Sequence, residues 1–235
     1  MTTTIKLTLA NKEAHRLFTR RTKDGMLFFD AVIQKITYLL KRCQAEQAYS
    51  LLSLYKIQES IYIQTNEFCD ELVKFEGLLE KKKYLNGKTI TFVPKFYPEC
   101  NLDSSIAADL VELVQVYDKL LSMLKLLRIA GSFANDEDYF SNLRRFFKDM
   151  NKLLSSIQLT PINGLPKLTF SEVIDESLTY QLTSSFVGKI DYQILYQAMT
   201  SNLAQRLEEK IRQPLLHRLK KRLQMSMDEQ KERCA

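Results

Sequence analysis

TTTIKLTLANKEAHRLFTRRTKDG, residues 2–25, is the stretch on which the fold turns. Thr4, Ile5, Lys6, Leu7, Thr8 and Leu9 alternate polar and apolar, the period of a half-buried strand. Ile5, Leu7 and Leu9 then face a core, and Thr4, Lys6 and Thr8 face outward. The residues from Asn11 to Phe18 read as a short helix, with Asn11 placed to cap it and Ala14, Leu17 and Phe18 on one side. Thr22 to Gly25 break the pattern. A lone strand ahead of helical sequence needs a second strand to satisfy its backbone.

The rest of the chain is written mainly in helical periods. A longer helix is expected over about 26–43, with Leu27, Phe28, Ala31, Val32, Ile36, Leu39 and Leu40 recurring at three and four residues. Helices are expected at 46–63 and 66–84, the second ending in Lys81-Lys82-Lys83, where cations suit the helix dipole. After the Asn86-Gly87 turn, residues 88–96 have strand character, with Pro94 confining any such strand to an edge. Asp103 to Ser105 can cap a long helix striped with Leu110, Leu113, Val114, Tyr117, Leu120, Leu121, Leu124 and Leu127, and Gly131 stops it. Asn135-Asp136 opens another, whose stripe of Tyr139, Phe140, Leu143, Phe146, Phe147, Met150, Leu153 and Leu154 reads as core; the two should pack antiparallel. The stretch 160–166 (ThrProIleAsnGlyLeuPro) is a loop or linker. Helices are expected near 170–183 and 190–213, with Pro214 as a first-turn residue of a last amphipathic helix carrying Leu215, Leu216, Leu219 and Leu223 on one face.

Composition narrows the function. The 235 residues are 45% hydrophobic and 26% charged, and no apolar run approaches the ~20 residues that span a membrane. The start lacks the pattern of a signal peptide, so a soluble cytoplasmic protein is expected. Charge is concentrated at two places: residues 1–43 hold nine Lys and Arg against Glu13, Asp24 and Asp30, and residues 204–224 hold seven against Glu208 and Glu209. Two basic ends bracketing a mildly acidic middle suit a polyanionic partner.

Little points to chemistry. Cys43, Cys69, Cys100 and Cys234 are far apart, without metal or redox spacing, and read as reduced structural thiols. His15 and His217 each precede an arginine in helical sequence and read as surface or partly packed side chains. The six glycines are isolated, so no phosphate-binding glycine loop exists, and no serine sits in a nucleophile elbow. The acidic cluster at 136–138 opens a helix, where it is stabilising on structural grounds. No enzyme, cofactor or metal site is expected.

The partner of the opening strand could be 89–93 or 167–170 of the same chain, or the same strand of a second copy. The second copy would make a two-stranded ribbon across a two-fold axis, displaying two sets of Thr4, Lys6 and Thr8. Such a ribbon fits the major groove, where Lys donates to guanine and Thr offers a hydroxyl and a methyl. The order strand, short helix, Gly-containing turn, longer helix resembles the ribbon-helix-helix DNA-binding motif over residues 4 to about 42. That resemblance implies phosphate binding at the start of the second helix, here Lys23 to Leu27 with Gly25. Arg16, Arg20 and Arg21 would add phosphate contacts that position without specifying sequence. On the basic stretch 206–223, Arg218, Lys221 and Arg222 are secondary phosphate candidates; a solvated helix face is its commonest fate, and a membrane surface fits least, for want of bulky aromatic anchors.

A wider resemblance runs over residues 5–160. It rests on Glu13-Ala-His-Arg-Leu-Phe-x-x-Arg21, on the stretches 46–59 (EQAYSLLSLYKIQE) and 110–121 (LVELVQVYDKLL), and on the helix bearing Arg144 and Arg145. These resemble the AcaB-like family of transcriptional regulators carried by conjugative plasmids and integrating conjugative elements. Membership implies a homodimeric protein that binds double-stranded DNA and acts as an activator of conjugation genes; for residues 44–235 a ligand, RNA polymerase or another copy of the protein are the candidate partners. The expected architecture is mainly α: a ribbon-helix-helix-like segment over 1–43, with an intermolecular ribbon, followed by a helical domain over 44–235 with one or two short strands, or one continuous domain. The competing reading is a helical scaffold or adaptor of a conjugation or secretion apparatus, without DNA binding.

Overall fold

The computed structural model describes residues 3–82, 92–162 and 164–234, and for residues 205, 206 and 226–234 the backbone alone. The elements are β1 (Thr3–Lys6), α1 (Lys12–Thr19), α2 (Phe28–Gln44), α3 (Ala48–Glu80), β2 (Glu99–Leu102), α4 (Ser105–Ile129), α5 (Asp136–Leu159), α6 (Phe170–Ile174), α7 (Leu178–Val187), α8 (Tyr192–Thr200), a 3-10 turn (Asn202–Arg206) and α9 (Glu209–Cys234). They form two compact units, Met1–Ile36 with Gln58–Leu159, and Thr37–Ile57 with Thr160–Ala235.

In the first unit β1 finds its partner within the chain. It pairs antiparallel with β2, in the register Thr3↔Leu102, Thr4↔Asn101, Ile5↔Cys100 and Lys6↔Glu99, and the bridge Leu9↔Phe96 extends the pairing. The intermolecular ribbon expected from the sequence is therefore corrected, and of the in-chain candidates 167–170 is not the partner, since Thr169 bridges Gln47 instead. Residues 89–91 lie outside the described residues, and Phe92 and Val93 carry no strand. Glu99-Cys-Asn-Leu has the same alternation as β1. Cys100 and Leu102 go inward with Leu7 and Leu9, so one apolar layer is shared by both strands and drives the pairing.

β2 leads into α4, which Ser104 caps by accepting from the Ala107 N–H. Leu110, Leu113, Val114, Tyr117, Leu120, Leu121, Leu124 and Leu127 are all fully buried, as the stripe required. Gly131, at φ +60, ends the helix region in a left-handed turn that glycine adopts without strain. α5 packs on α4, and Phe68 of α3 lies 5.8 Å from Tyr117 and 5.9 Å from Phe146, ring centre to ring centre. The break expected near 64–65 is absent, and α3 runs through it. Thr65 donates its hydroxyl back to the Ile61 carbonyl, and burial of Ile61, Phe68 and Leu72 outweighs the weak helix propensity of Thr65-Asn66.

One buried carboxylate fixes how β1 turns into α1. Asp118 of α4 accepts from the Ala10 N–H at 2.9 Å through one oxygen and from the Asn11 N–H at 2.9 Å through the other. Asn11 does not cap α1 with its side chain, as expected from its position. Its amide instead donates to the Asp118 carboxylate and carbonyl and to Ser122, while its carbonyl oxygen accepts from Lys125 at 2.8 Å. Lys125 also pairs with Glu13 at 2.9 Å. Burial works against the Glu13 charge, but the hydrogen bonds and charges of Lys125 and its surroundings win and hold the carboxyl below the ordinary glutamate value.

In the second unit the loop at 160–169 is tied down. Buried Arg42 donates to Gln47 and to the carbonyls of Ile162 and Leu165, the Ala48 N–H donates to the Leu168 carbonyl, and Thr169 with Glu172 forms a capping box on α6. The helix expected over 170–183 is broken at Asp175 to Ser177, where Glu176 takes φ +50, and that expected over 190–213 ends at Thr200. Thr200 and Ser201 turn their hydroxyls back onto the carbonyls of Tyr196, Gln197 and Ala198, which closes α8. Pro214 stands inside α9 rather than in its first turn, with Leu215 and Leu219 buried.

Asp118→Ala should strand the Ala10 and Asn11 N–H groups, at ~1–3 kcal/mol for each donor left without an acceptor. The expected loss is about 3 kcal/mol or more in urea unfolding. Asp118→Asn should recover only part of it, because one carboxamide arm presents N–H groups to an N–H; a value within 0.5 kcal/mol of wild type (about the scatter of neutral surface changes) would show that the clamp is dispensable.

Candidate nucleic-acid interface

Thr4, Lys6 and Thr8 are exposed along one face of β1, where the alternation places them, and Ile5, Leu7 and Leu9 point away from that face. The in-chain register gives the face a second row that sequence reading missed. Asn101 stands beside Thr4 and accepts from its hydroxyl at 2.7 Å; Glu99 stands opposite Lys6; and the Lys6 ammonium lies 5.7 Å from the centre of the Tyr97 ring. Glu99, Asn101 and Tyr97 are all exposed. The signal was the period-2 alternation of Glu99-Cys-Asn-Leu, hidden by its brevity and by Pro98 in front of it. The ribbon carries both hydrogen-bond donors and acceptors, and Glu99 offsets the charge of Lys6. Its outer face is thus polar rather than strongly basic.

Positive charge comes from α1 and the loop after it. Arg16 and Arg20 are exposed one helical turn apart. Arg20 donates to Asn151 of α5 at 3.0 Å, and its guanidinium lies 4.5 Å from the centre of the Phe28 ring, which holds it flat. With Leu17, Thr19, Phe147 and Asn151 the two arginines line a shallow cavity of about 250 Å3. Thr22 to Met26 form a tight turn, closed by the Thr22 N–H on the Met26 carbonyl at 2.8 Å and the Gly25 N–H on the Thr22 carbonyl at 3.1 Å. Gly25 has φ +82, a conformation that L side chains rarely adopt, and Arg21 donates to its carbonyl at 2.5 Å. Lys23 is exposed at the tip. α2 begins at Phe28 rather than in the turn, and the Phe28 N–H already donates to the Arg20 carbonyl at 2.8 Å. That backbone group is committed to closing the loop.

The basic residues of α9 belong to the second unit. Arg218 forms an ion pair with Asp175, and Arg222 donates to the Ile174 carbonyl at 3.2 Å, so both fasten α9 to the end of α6; Lys221 is exposed. His15 stacks on Phe96 at 4.5 Å, and His217 is exposed. Burial pushes the Cys43 thiol up to about 12, which keeps it protonated. Among the described residues there is no group of three or more His, Cys, Asp or Glu side chains able to hold a metal, and no helix long and apolar enough to cross a membrane.

No family model and no curated protein matches the chain. Among solved structures, the crystal structure of selenomethionine-containing AcaB from uropathogenic E. coli is similar, with a TM-score of 0.54 at 13% sequence identity. The match covers 85% of this chain and 98% of that one. The chain therefore has an AcaB-like fold, mainly helical with a small antiparallel sheet near its start.

Nothing lies within 4 Å of where a Gly25 side chain would begin, so Gly25→Ala should cost only the backbone strain, ~1–2 kcal/mol. Gly25→Asn should cost less, since Asn tolerates the left-handed region. Thermal unfolding of the three proteins checks the order; equal midpoints would mean that the turn does not need the positive φ.

Proposed function

We propose that the protein is a DNA-binding transcriptional regulator that reads the major groove with the outer face of its β1–β2 ribbon. The observation that carries this reading is the two-row polar face: Thr4, Lys6 and Thr8 on one strand, Asn101 and Glu99 on the other, exposed side by side on a scaffold of buried apolar residues. Each type has a base-edge partner. Lys donates to guanine O6 or N7, Asn pairs with adenine, Glu accepts from cytosine N4, and Thr meets either a polar edge or the thymine methyl. The ribbon is built inside one chain, so one protomer carries a complete reading face.

Arg16, Arg20, Arg21 and Lys23 serve the phosphate backbone. They set register and orientation, and they supply the salt-dependent part of the affinity. Arg20 is held in place by Phe28 and Asn151, which reduces the rotamer entropy that a phosphate contact must overcome. Arg218, Lys221 and Arg222 are secondary contacts, Lys221 the most available of them. The resemblance read from the sequence, together with the AcaB-like fold, supports activation of conjugative-transfer genes, in the cytoplasm and through RNA polymerase.

Gel shifts against DNA upstream of its own gene neighbourhood, at two salt concentrations, test this. The triple variant Thr4→Ala, Lys6→Ala, Thr8→Ala should lose discrimination between cognate and scrambled duplex, ~1–3 kcal/mol for each good base contact. Arg16→Ala and Arg20→Ala should weaken all duplexes alike and lower the salt slope by about 1 each. Unchanged operator preference in the triple variant would sink base reading by the ribbon. No salt-sensitive duplex binding at all, with a stable hetero-partner recovered in its place, would favour the scaffold reading.

A further inference from the structure

A cavity of about 430 Å3 is bounded, within the second unit, by the turn after α6, by α7, by the loop that follows it and by the start of α8. That volume falls within the range of about 300–1,000 Å3 common to small-molecule sites. Tyr180, Tyr192 and Ile190 give it partly aromatic and apolar walls, and Glu176 and Lys189 bring opposite charges to its lining.

The backbone sets both charges. Glu176 stands just past the end of α6, where its N–H donates to the Val173 carbonyl at 3.3 Å and the Ser177 N–H donates to the Glu172 carbonyl at 3.0 Å. This closure places its second-last residue in the left-handed region, a position that glycine fills most cheaply. Glu176 occupies it at φ +50, so a carboxylate is held there against the local preference, and strain of this kind gathers at ligand sites. Tyr192 donates its hydroxyl to Glu176 Oε1 at 2.8 Å; burial, and then this bond, push the Tyr192 hydroxyl above its ordinary value and keep it a donor. Glu176 Oε2 receives no hydrogen bond among the described residues. At the other end, Gly188 closes α7 at φ +88 and delivers Lys189, which is exposed and makes no ion pair among the described residues. Close to it lies the hydroxyl of Tyr180, a residue only 3% exposed. It accepts from the Ile190 N–H at 2.9 Å, and its own proton has no acceptor among the described residues.

One cavity thus holds an acid and a base that do not pair with each other, and a buried hydroxyl with a proton to give. A ligand of single charge would answer one end and leave the other unmatched. A ligand with an ammonium and a carboxylate answers both, and the aromatic walls accept its side chain. We propose that this cavity binds a small zwitterion of the amino-acid class, with its ammonium on Glu176, its carboxylate on Lys189 and the Tyr180 hydroxyl, and its side chain against Tyr192 and Ile190. The turn that carries Glu176 also holds α9, since Asp175 pairs with Arg218 and the Ile174 carbonyl accepts from Arg222, so occupancy would stabilise the second unit. The site does not depend on DNA reading: failure of the duplex-binding tests leaves it standing, and its own failure leaves ribbon reading untouched.

Thermal unfolding of the full chain with each of the common L-amino acids in turn tests the site, followed by calorimetric titration with whichever raises the midpoint most. One or more should raise the midpoint and bind saturably. The matching amine and the matching carboxylic acid, each lacking one of the charges, should bind about tenfold or more weakly, as should the amino acid to Glu176→Gln and to Lys189→Gln. Glu176→Gly should keep the fold, because glycine suits the positive φ, and should lose affinity to the same extent. The proposal is overturned if no common amino acid raises the midpoint or binds saturably, or if affinity is unchanged in both Glu176→Gln and Lys189→Gln. A single-charge analogue that binds as tightly as the amino acid overturns the zwitterion assignment, and full affinity in Glu176→Gly overturns the role of the carboxylate.

Discussion

The Asp118 carboxylate is the constraint on which the first unit depends. A carboxylate buried in an apolar helix bundle is costly unless its oxygens are filled with donors, and here the donors come from the two residues at which β1 ends and α1 begins. Satisfying it therefore fixes the direction in which the chain leaves the ribbon. Once Ala10 and Asn11 are set, Leu7 and Leu9 go into the core, Thr4, Lys6 and Thr8 go outward, and α1 is entered with Ala14, Leu17 and Phe18 inward. Arg16 and Arg20 fall on the free side by the same rotation. One buried ionic group thus orients both the polar ribbon face and the basic helix.

How much of this was legible depended on whether the information was local. The strand alternation, the stripe of α4, and the burial of Ala14, Leu17 and Phe18 were all readable, because period and burial are local consequences of the same backbone geometry; the stripe of α5 was read too wide, since Tyr139, Phe146, Met150, Leu153 and Leu154 are buried but Phe140 and Phe147, expected in the core, are exposed and Leu143 is half-buried. The partner of β1 was not, since it lies almost a hundred residues away and is only four residues long. Asn11 misled because an asparagine before a helix usually caps it, whereas Asp118, Ser122 and Lys125 competed for its amide and won. A signal existed: these three polar residues stand at spacings of four and three, among the apolar residues that α4 turns inward. At Thr65 and Pro214, tertiary burial overrode weak local propensity. Of the candidate site, the outward face of β1 was legible and the contribution of β2 was not. Arg218 and Arg222 looked like free cations in the sequence because Asp175 and the Ile174 carbonyl are brought to them only by folding.

Closing the ribbon within the chain removes the need for a second copy to build it. If two copies had to meet to form the ribbon, folding, dimerisation and base reading would be one event. Here the ribbon's apolar layer is completed by Cys100 and Leu102 of the same molecule, so a protomer can present Thr4, Lys6, Thr8, Asn101 and Glu99 before it meets another. In the proposed reading the labour divides physically as well: the near-neutral ribbon would discriminate, and the arginines of α1 would attract.

The in-chain ribbon is the claim on which this view stands, and a cross-strand disulfide tests it most directly. Thr4 and Asn101 face each other in the register, within hydrogen-bonding distance of one another. Thr4→Cys/Asn101→Cys, with Cys69 and Cys234 replaced by serine, should on mild oxidation lose two thiols and run as a monomer on a denaturing non-reducing gel. A cross-linked species of twice the chain mass, formed in place of the internal bond, would show that the ribbon is shared between two copies and would contradict the account.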